Sequence, residues 1–122
     1  MAKDDMHLII YKILRYLYGC NKEGKVPTLT DMLKALELPT VPMSYIRQII
    51  DELLKNGYID GINIFETKDG TYIDVSEKAI VTIRGVDYLH DNGRLGKAAS
   101  AAGKAFEVLV GAIISAAMPL GR

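Results

Sequence analysis

The chain has 122 residues and balances 15 basic against 15 acidic side chains, for a formal net charge of zero. A hydrophobic share of 49% and a charged share of 25% are ordinary globular composition and argue against disorder, and the length suits one domain with a proper core and at most one appended element. Zero net charge also counts against a protein that gathers positive charge to displace counterions from nucleic-acid phosphate. Splitting the chain does not reveal a hidden basic region. Residues 1–57 carry eight basic and seven acidic groups, residues 58–94 four and seven, and residues 95–122 three and one. The single cysteine, Cys20, excludes an intrachain disulfide and a Cys-rich zinc site, and reads as a small, partly buried thiol at the end of a helix. Charges at Lys3, Asp4 and Asp5 interrupt any secretory apolar region, so a reducing cytoplasm is the expected compartment.

Met6, Ile9, Ile10, Ile13, Leu14 and Leu17 recur at three- and four-residue spacing and predict a first helix over residues 4–18, ended by Gly19 and the polar run Asn21–Lys25. Leu8, Tyr11 and Tyr18 form a second stripe, which calls for a second packing partner: the C-terminal helix or another subunit. Thr28, with Asp31 three residues on, marks the start of a short second helix carrying Met32, Leu33 and Leu36. Leu38-Pro39-Thr40 breaks it, because proline lacks an amide donor and disfavours helix in the residue before it. From Pro42 a third helix carries Ile46, Ile49, Ile50, Leu53 and Leu54 and stops at Asn56-Gly57, with Gly57 as a left-handed cap.

The period then changes. Tyr58-Ile59, Ile62 and Ile64-Phe65, followed by Tyr72-Ile73 and Val75, are β-branched and aromatic runs flanking Thr67-Lys68-Asp69-Gly70, where Asp-Gly signals a hairpin turn. Thr82 starts a fourth helix running to about Asp91. A last helix over 95–118 places Leu95, Ala98, Ala99, Ala102, Phe106, Leu109, Ile113 and Ala117 on its apolar side. No charge falls between Val108 and Leu120, a run shorter than the roughly 18–20 residues of a membrane span, so a buried or interface helix is expected.

Three helices and then a hairpin is the order of a winged helix, and the expected class is α+β: a winged helix-turn-helix, three-helix core plus β-hairpin wing, with extra C-terminal helices. Residues 1–92 form the winged-helix domain, and residues 93–122 an apolar C-terminal element for packing or dimerisation.

Residues 79–93, Ala-Ile-Val-Thr-Ile-Arg-Gly-Val-Asp-Tyr-Leu-His-Asp-Asn-Gly, resemble the L-T-x-x-G-x-x-Y-L-x-x-N signature, with Thr82, Gly85, Tyr88, Leu89 and Asn92 at the matching positions. Together with Ile9–Leu14 and the Leu54–Ile59 junction, they make most of residues 4–107 similar to the YjcQ-like family of small bacterial and prophage winged-helix proteins. Ile83 and Arg84 depart from the signature, as does the more apolar tail. The resemblance implies the fold and a regulatory role on mobile elements, without a defined activity.

In a helix-turn-helix the second helix of the motif lies in the DNA major groove. Arg47 is then placed for guanine and Gln48 for adenine, with Tyr45 beside them. Thr40 and Ser44 serve phosphates at the turn, Lys55 sits on the same helix face, and Lys68 reaches from the wing, with Lys25 and Lys34 as further phosphate contacts. Asp51 and Glu52 oppose this. The expected partners are double-stranded DNA and a second copy of the chain, docked through Leu8, Tyr11, Tyr18, Phe106, Leu109 and Ile113. The alternative is a protein-interaction module that presents Asp60, Glu66, Asp69, Asp74 and Glu77 of the wing to a basic partner. Catalysis, a metal and a cofactor are not expected. His7 and His90 are the only imidazoles and lie on separate helices, Asp4-Asp5 and Asp51-Glu52 are sequence neighbours that diverge on a helix, and no phosphate loop or metal-binding His spacing occurs.

Overall fold

The computed structural model describes residues 5–37, 41–92 and 101–120. Among them are five helices and one antiparallel hairpin, an α+β arrangement: α1 (Asp5–Glu23), α2 (Leu29–Leu36), α3 (Met43–Lys55), β1 (Ile59–Thr67), β2 (Gly70–Val81), α4 (Ile83–Asp91) and α5 (Ala101–Ala116).

The first helix is the centre of the molecule. Ile9, Tyr11, Ile13, Leu14, Tyr16, Leu17 and Cys20 are all buried, because α1 packs against α2, α3, α4, α5 and β2. Of the two apolar stripes of the sequence, Ile9, Ile13, Leu14 and Leu17 of the first and Tyr11 of the second are buried within the chain, Ile10, Leu8 and Tyr18 are half-buried, and Met6 is exposed. Gly19 does not end this helix, as expected, but lies inside it, where a Cβ would collide with the Ile114 side chain of α5. The stop comes at Gly24, whose φ of 67° lets the Lys25 N–H reach back to the Cys20 carbonyl at 2.9 Å. Cys20 is accordingly buried within the helix rather than partly buried at its end.

Local signals fix the next two helices. The Thr28 hydroxyl accepts the Asp31 N–H at 3.0 Å, which caps α2. That helix closes at Glu37, in a left-handed conformation, so the break expected at Leu38-Pro39-Thr40 lies outside the described residues. At the end of α3 the Tyr58 N–H bonds the Leu53 carbonyl at 2.9 Å and the Gly57 N–H bonds that of Leu54 at 3.1 Å, the paired bonds of a Schellman cap.

The hairpin pairs Ile59 with Val81 at its base and Thr67 with Gly70 at its tip. Its turn residues are thus Lys68-Asp69, one position earlier than the expected Asp69-Gly70, since Gly70 is held in the ladder by the Thr67 hydroxyl, which donates to its carbonyl at 3.0 Å. β2 also runs beyond Val75 to Val81, across an irregularity between Asp60 and Ile62. Gly61, at φ 85°, permits it, because its Cα lies against the Ala79 backbone where a side chain has no room.

Phe106, Val110 and Ile114 are the buried face of α5, which packs on α1 and α2, while Leu109 and Ile113 flank it half-buried. Of the apolar residues expected on this helix, Leu95, Ala98 and Ala99 lie outside the described residues. No described helix is long and apolar enough to cross a membrane.

Candidate recognition surface

The amphipathic third helix sets this surface. Ile46, Ile49, Ile50 and Leu53 turn into the core, which leaves Ser44, Gln48, Glu52 and Lys55 exposed and Arg47 and Asp51 half-buried. The Lys55 Nζ is 3.2 Å from Asp51 Oδ2, one helical turn back, so that lysine is neutralised locally. Among the described residues Arg47 has no ion-pair partner within 4.0 Å.

The N-terminal turn of α3 faces the hairpin across a cleft of about 450 Å³. Leu29 contributes from α2, Met43, Ser44 and Arg47 from α3, and Thr71, Tyr72 and Ile73 from β2. Of the residues expected to touch DNA, the fold thus brings Ser44 and Arg47 together. Gln48 is exposed beside them, and Tyr45 is half-buried against the core. Lys55 lies eleven positions beyond Ser44 along the helix, about 17 Å away. Lys68 is exposed at the hairpin tip next to Asp69, and Thr40 lies outside the described residues. Sequence reasoning missed the contributions of Leu29, Met43, Thr71, Tyr72 and Ile73, which meet only because the hairpin folds back toward α3.

The hairpin carries five carboxylates and two lysines. Phe65 pairs directly with Tyr72, which also lines the cleft, and both remain about half exposed, at 51% and 52%.

A second cleft, of about 280 Å³, opens between Tyr58 and α4, lined by Arg84, Asp87, Tyr88, Asp91 and Asn92. His7 Nδ1 lies 2.9 Å from the Tyr88 hydroxyl at its side, and burial pushes the Tyr88 phenol above its usual range. His90 is exposed on α4. Among the described residues no cluster of three or more His, Cys, Asp or Glu side chains can hold a metal. Burial likewise raises the Cys20 thiol, which keeps it protonated and unreactive near neutral pH.

The signature residues around α4 have structural work. The Thr82 hydroxyl donates to the Gly57 carbonyl at 2.5 Å and accepts the Gly85 N–H at 3.2 Å. Gly85 packs so tightly under the Tyr58 backbone that a Cβ would collide with its carbonyl. Tyr88 meets the Tyr58 ring, Leu89 is buried, and the Asn92 amide donates to the Tyr88 carbonyl at 2.9 Å. A family model described as YjcQ protein matches residues 11–107. The chain belongs to the YjcQ family. No curated protein and no solved structure matches it. In this YjcQ-family chain Thr82, Gly85, Tyr88, Leu89 and Asn92 lock the end of α3, the hairpin base and α4 together, and none of them lines the cleft beside Arg47.

Proposed function

We propose that this YjcQ-family chain is a winged-helix DNA-binding protein, a transcriptional regulator of bacterial or prophage origin, that acts by binding rather than by catalysis. In this reading α2 and α3 are the helix-turn-helix, α3 is the reading helix and the hairpin is the wing. The observation that carries it is the N-terminal half of α3, where Ser44 and Gln48 are exposed and Arg47 keeps its guanidinium free of carboxylates among the described residues. Those groups match the donor and acceptor edges of bases in the major groove.

Among the described residues, one arginine on α3 without an ion-pair partner and one lysine at the wing tip make a small electrostatic footprint. Two phosphate contacts per chain give a slope of log affinity against log salt of about −2, so a dimer on two half-sites is the state expected to reach useful affinity. The test is binding of the full chain to a selected duplex, followed by fluorescence anisotropy. Arg47→Ala with Gln48→Ala is expected to abolish selective binding and leave the unfolding midpoint unchanged. Undiminished affinity in that double variant eliminates α3 as the reader.

A second reading, a module that binds a basic protein, is favoured by the exposed Phe65–Tyr72 pair on a hairpin rich in carboxylates. It predicts that neutralising the hairpin carboxylates weakens partner binding. The DNA reading predicts the opposite sign for DNA.

A further inference from the structure

The cleft between α3 and β2 has the properties of a small-ligand site. Its volume of about 450 Å³ falls within the roughly 300–1,000 Å³ of pockets that hold small molecules. Leu29, Met43 and Ile73 give it apolar walls, and Tyr72 adds an aromatic ring. Among the described residues Arg47 is the one charged side chain on its wall, half-buried and without an ion-pair partner. The Ser44 hydroxyl stands one turn before it, and Thr71 faces them from the hairpin, its own hydroxyl donating to Glu66 Oε1 at 3.3 Å.

The backbone adds to the same polarity. α3 begins at Pro42, which supplies no side-chain cap, and no acidic residue occupies its first turn. The positive end of the helix dipole is therefore uncompensated at the cleft. A half-open cleft with apolar walls and, among the described residues, one unpaired guanidinium suits a ligand that has an aliphatic or aromatic body and a single carboxylate. Arginine grips a carboxylate with two parallel hydrogen bonds, and the apolar walls cover one side of the body.

We propose that this cleft binds a small amphipathic carboxylate. The ligand lies across the N-terminal turn of α3, with its carboxylate on Arg47 and its body against Leu29, Met43 and Ile73. Its consequence rests on the DNA reading: an occupied cleft withdraws Arg47 and Ser44 from DNA, so the ligand releases the duplex.

The experiment is an amide chemical-shift titration of the full chain, without DNA, using octanoate as the probe and octylammonium and inorganic phosphate as comparators. Octanoate is expected to give saturable shifts centred on Leu29, Met43–Arg47 and Thr71–Ile73. Arg47→Gln is expected to weaken it about tenfold or more, as loss of a charge-assisted pair does. Ser44→Asp is the second variant. A carboxylate in the first turn favours the helix, so any loss of octanoate binding there comes from charge and not from unfolding. No saturable shift, an equal response to octylammonium, or an equal response to phosphate each overturns the proposal, as does unchanged affinity in both variants. Adding duplex afterwards separates the two readings. Cleft shifts without any DNA binding leave the site standing and remove the DNA role, while DNA binding without octanoate shifts does the reverse.

Discussion

Asn21 joins two elements through its side-chain amide, donating to the Ala79 carbonyl at 3.0 Å and accepting the Val81 N–H at 3.0 Å. These are backbone groups of β2 that face away from β1, and the amide serves them as a neighbouring strand would. Asn21→Ala strands both, and an expected loss of about 1–3 kcal/mol in urea unfolding checks the bond pair. In the sequence Asn21 reads as part of a polar run that ends a helix, because its partners are 58 and 60 residues away. Tyr16 is a comparable case, its hydroxyl accepting the Thr28 N–H at 3.0 Å and holding α1 to the start of α2. Burial pushes the phenols of Tyr16, Tyr11 and Tyr88 above their ordinary 10.0 and the Cys20 thiol above 9.0. The unfolded chain then releases these protons at lower pH than the folded one. Their contribution is complete below about pH 9 and is lost as pH rises through the folded values, by up to about 1.4 kcal/mol per pH unit for each group. Urea midpoints measured from pH 7 to 11 are expected to fall above pH 9, and less steeply in Tyr16→Phe. A flat profile contradicts that burial.

Among the elements, α5 is held by several unlike contacts. Arg15 and Glu107 meet at 2.9 Å, Tyr11 packs on Phe106 at 6.3 Å between ring centres, and the Lys25 ammonium donates to the Ser115 and Ala117 carbonyls at 3.1 and 3.2 Å. Beyond the helix, the Val26 N–H bonds the Met118 carbonyl at 2.7 Å and the Leu120 N–H that of Gly24 at 2.8 Å. The uncharged tail is thus tied to the α1–α2 connection, and Tyr11 and Phe106, expected at a packing or dimer surface, are buried against each other in one chain. Gly19 tests this docking by sign. Alanine for glycine inside a helix ordinarily gains about 0.5–1 kcal/mol. Here Gly19→Ala is expected to cost about 1–3 kcal/mol through overpacking on Ile114. In an Ile114→Ala background the same change is expected to regain its ordinary favourable sign, which a double-mutant cycle measures. Absence of any coupling between the two changes in that cycle rules out α5 lying there. Gly19 and Gly24 look alike in sequence, and which one ends the helix depends on the helix that packs over it.

Over the whole molecule, neutrality hides an uneven distribution. The hairpin gathers five carboxylates against two lysines, whereas the start of α3 presents Arg47 alone. Under the DNA proposal the acidic hairpin limits affinity. Glu66→Gln with Asp69→Asn is expected to strengthen duplex binding by at most about 1 kcal/mol per charge, roughly fivefold each, at low salt, with the gain fading as salt rises. Weakened binding in that variant refutes the hairpin's repulsive role. The α+β class, the caps at Thr28, Gly57 and Thr82, and the hairpin were all legible in the sequence, because each is decided by hydrogen bonds and apolar spacing within a few residues. The extension of α1 to Glu23, the turning of Val110 and Ile114 into the core, the bonds of Asn21 and the cleft beside Arg47 were not. They arise where segments dozens of residues apart come into contact, and only tertiary packing decides which surfaces meet.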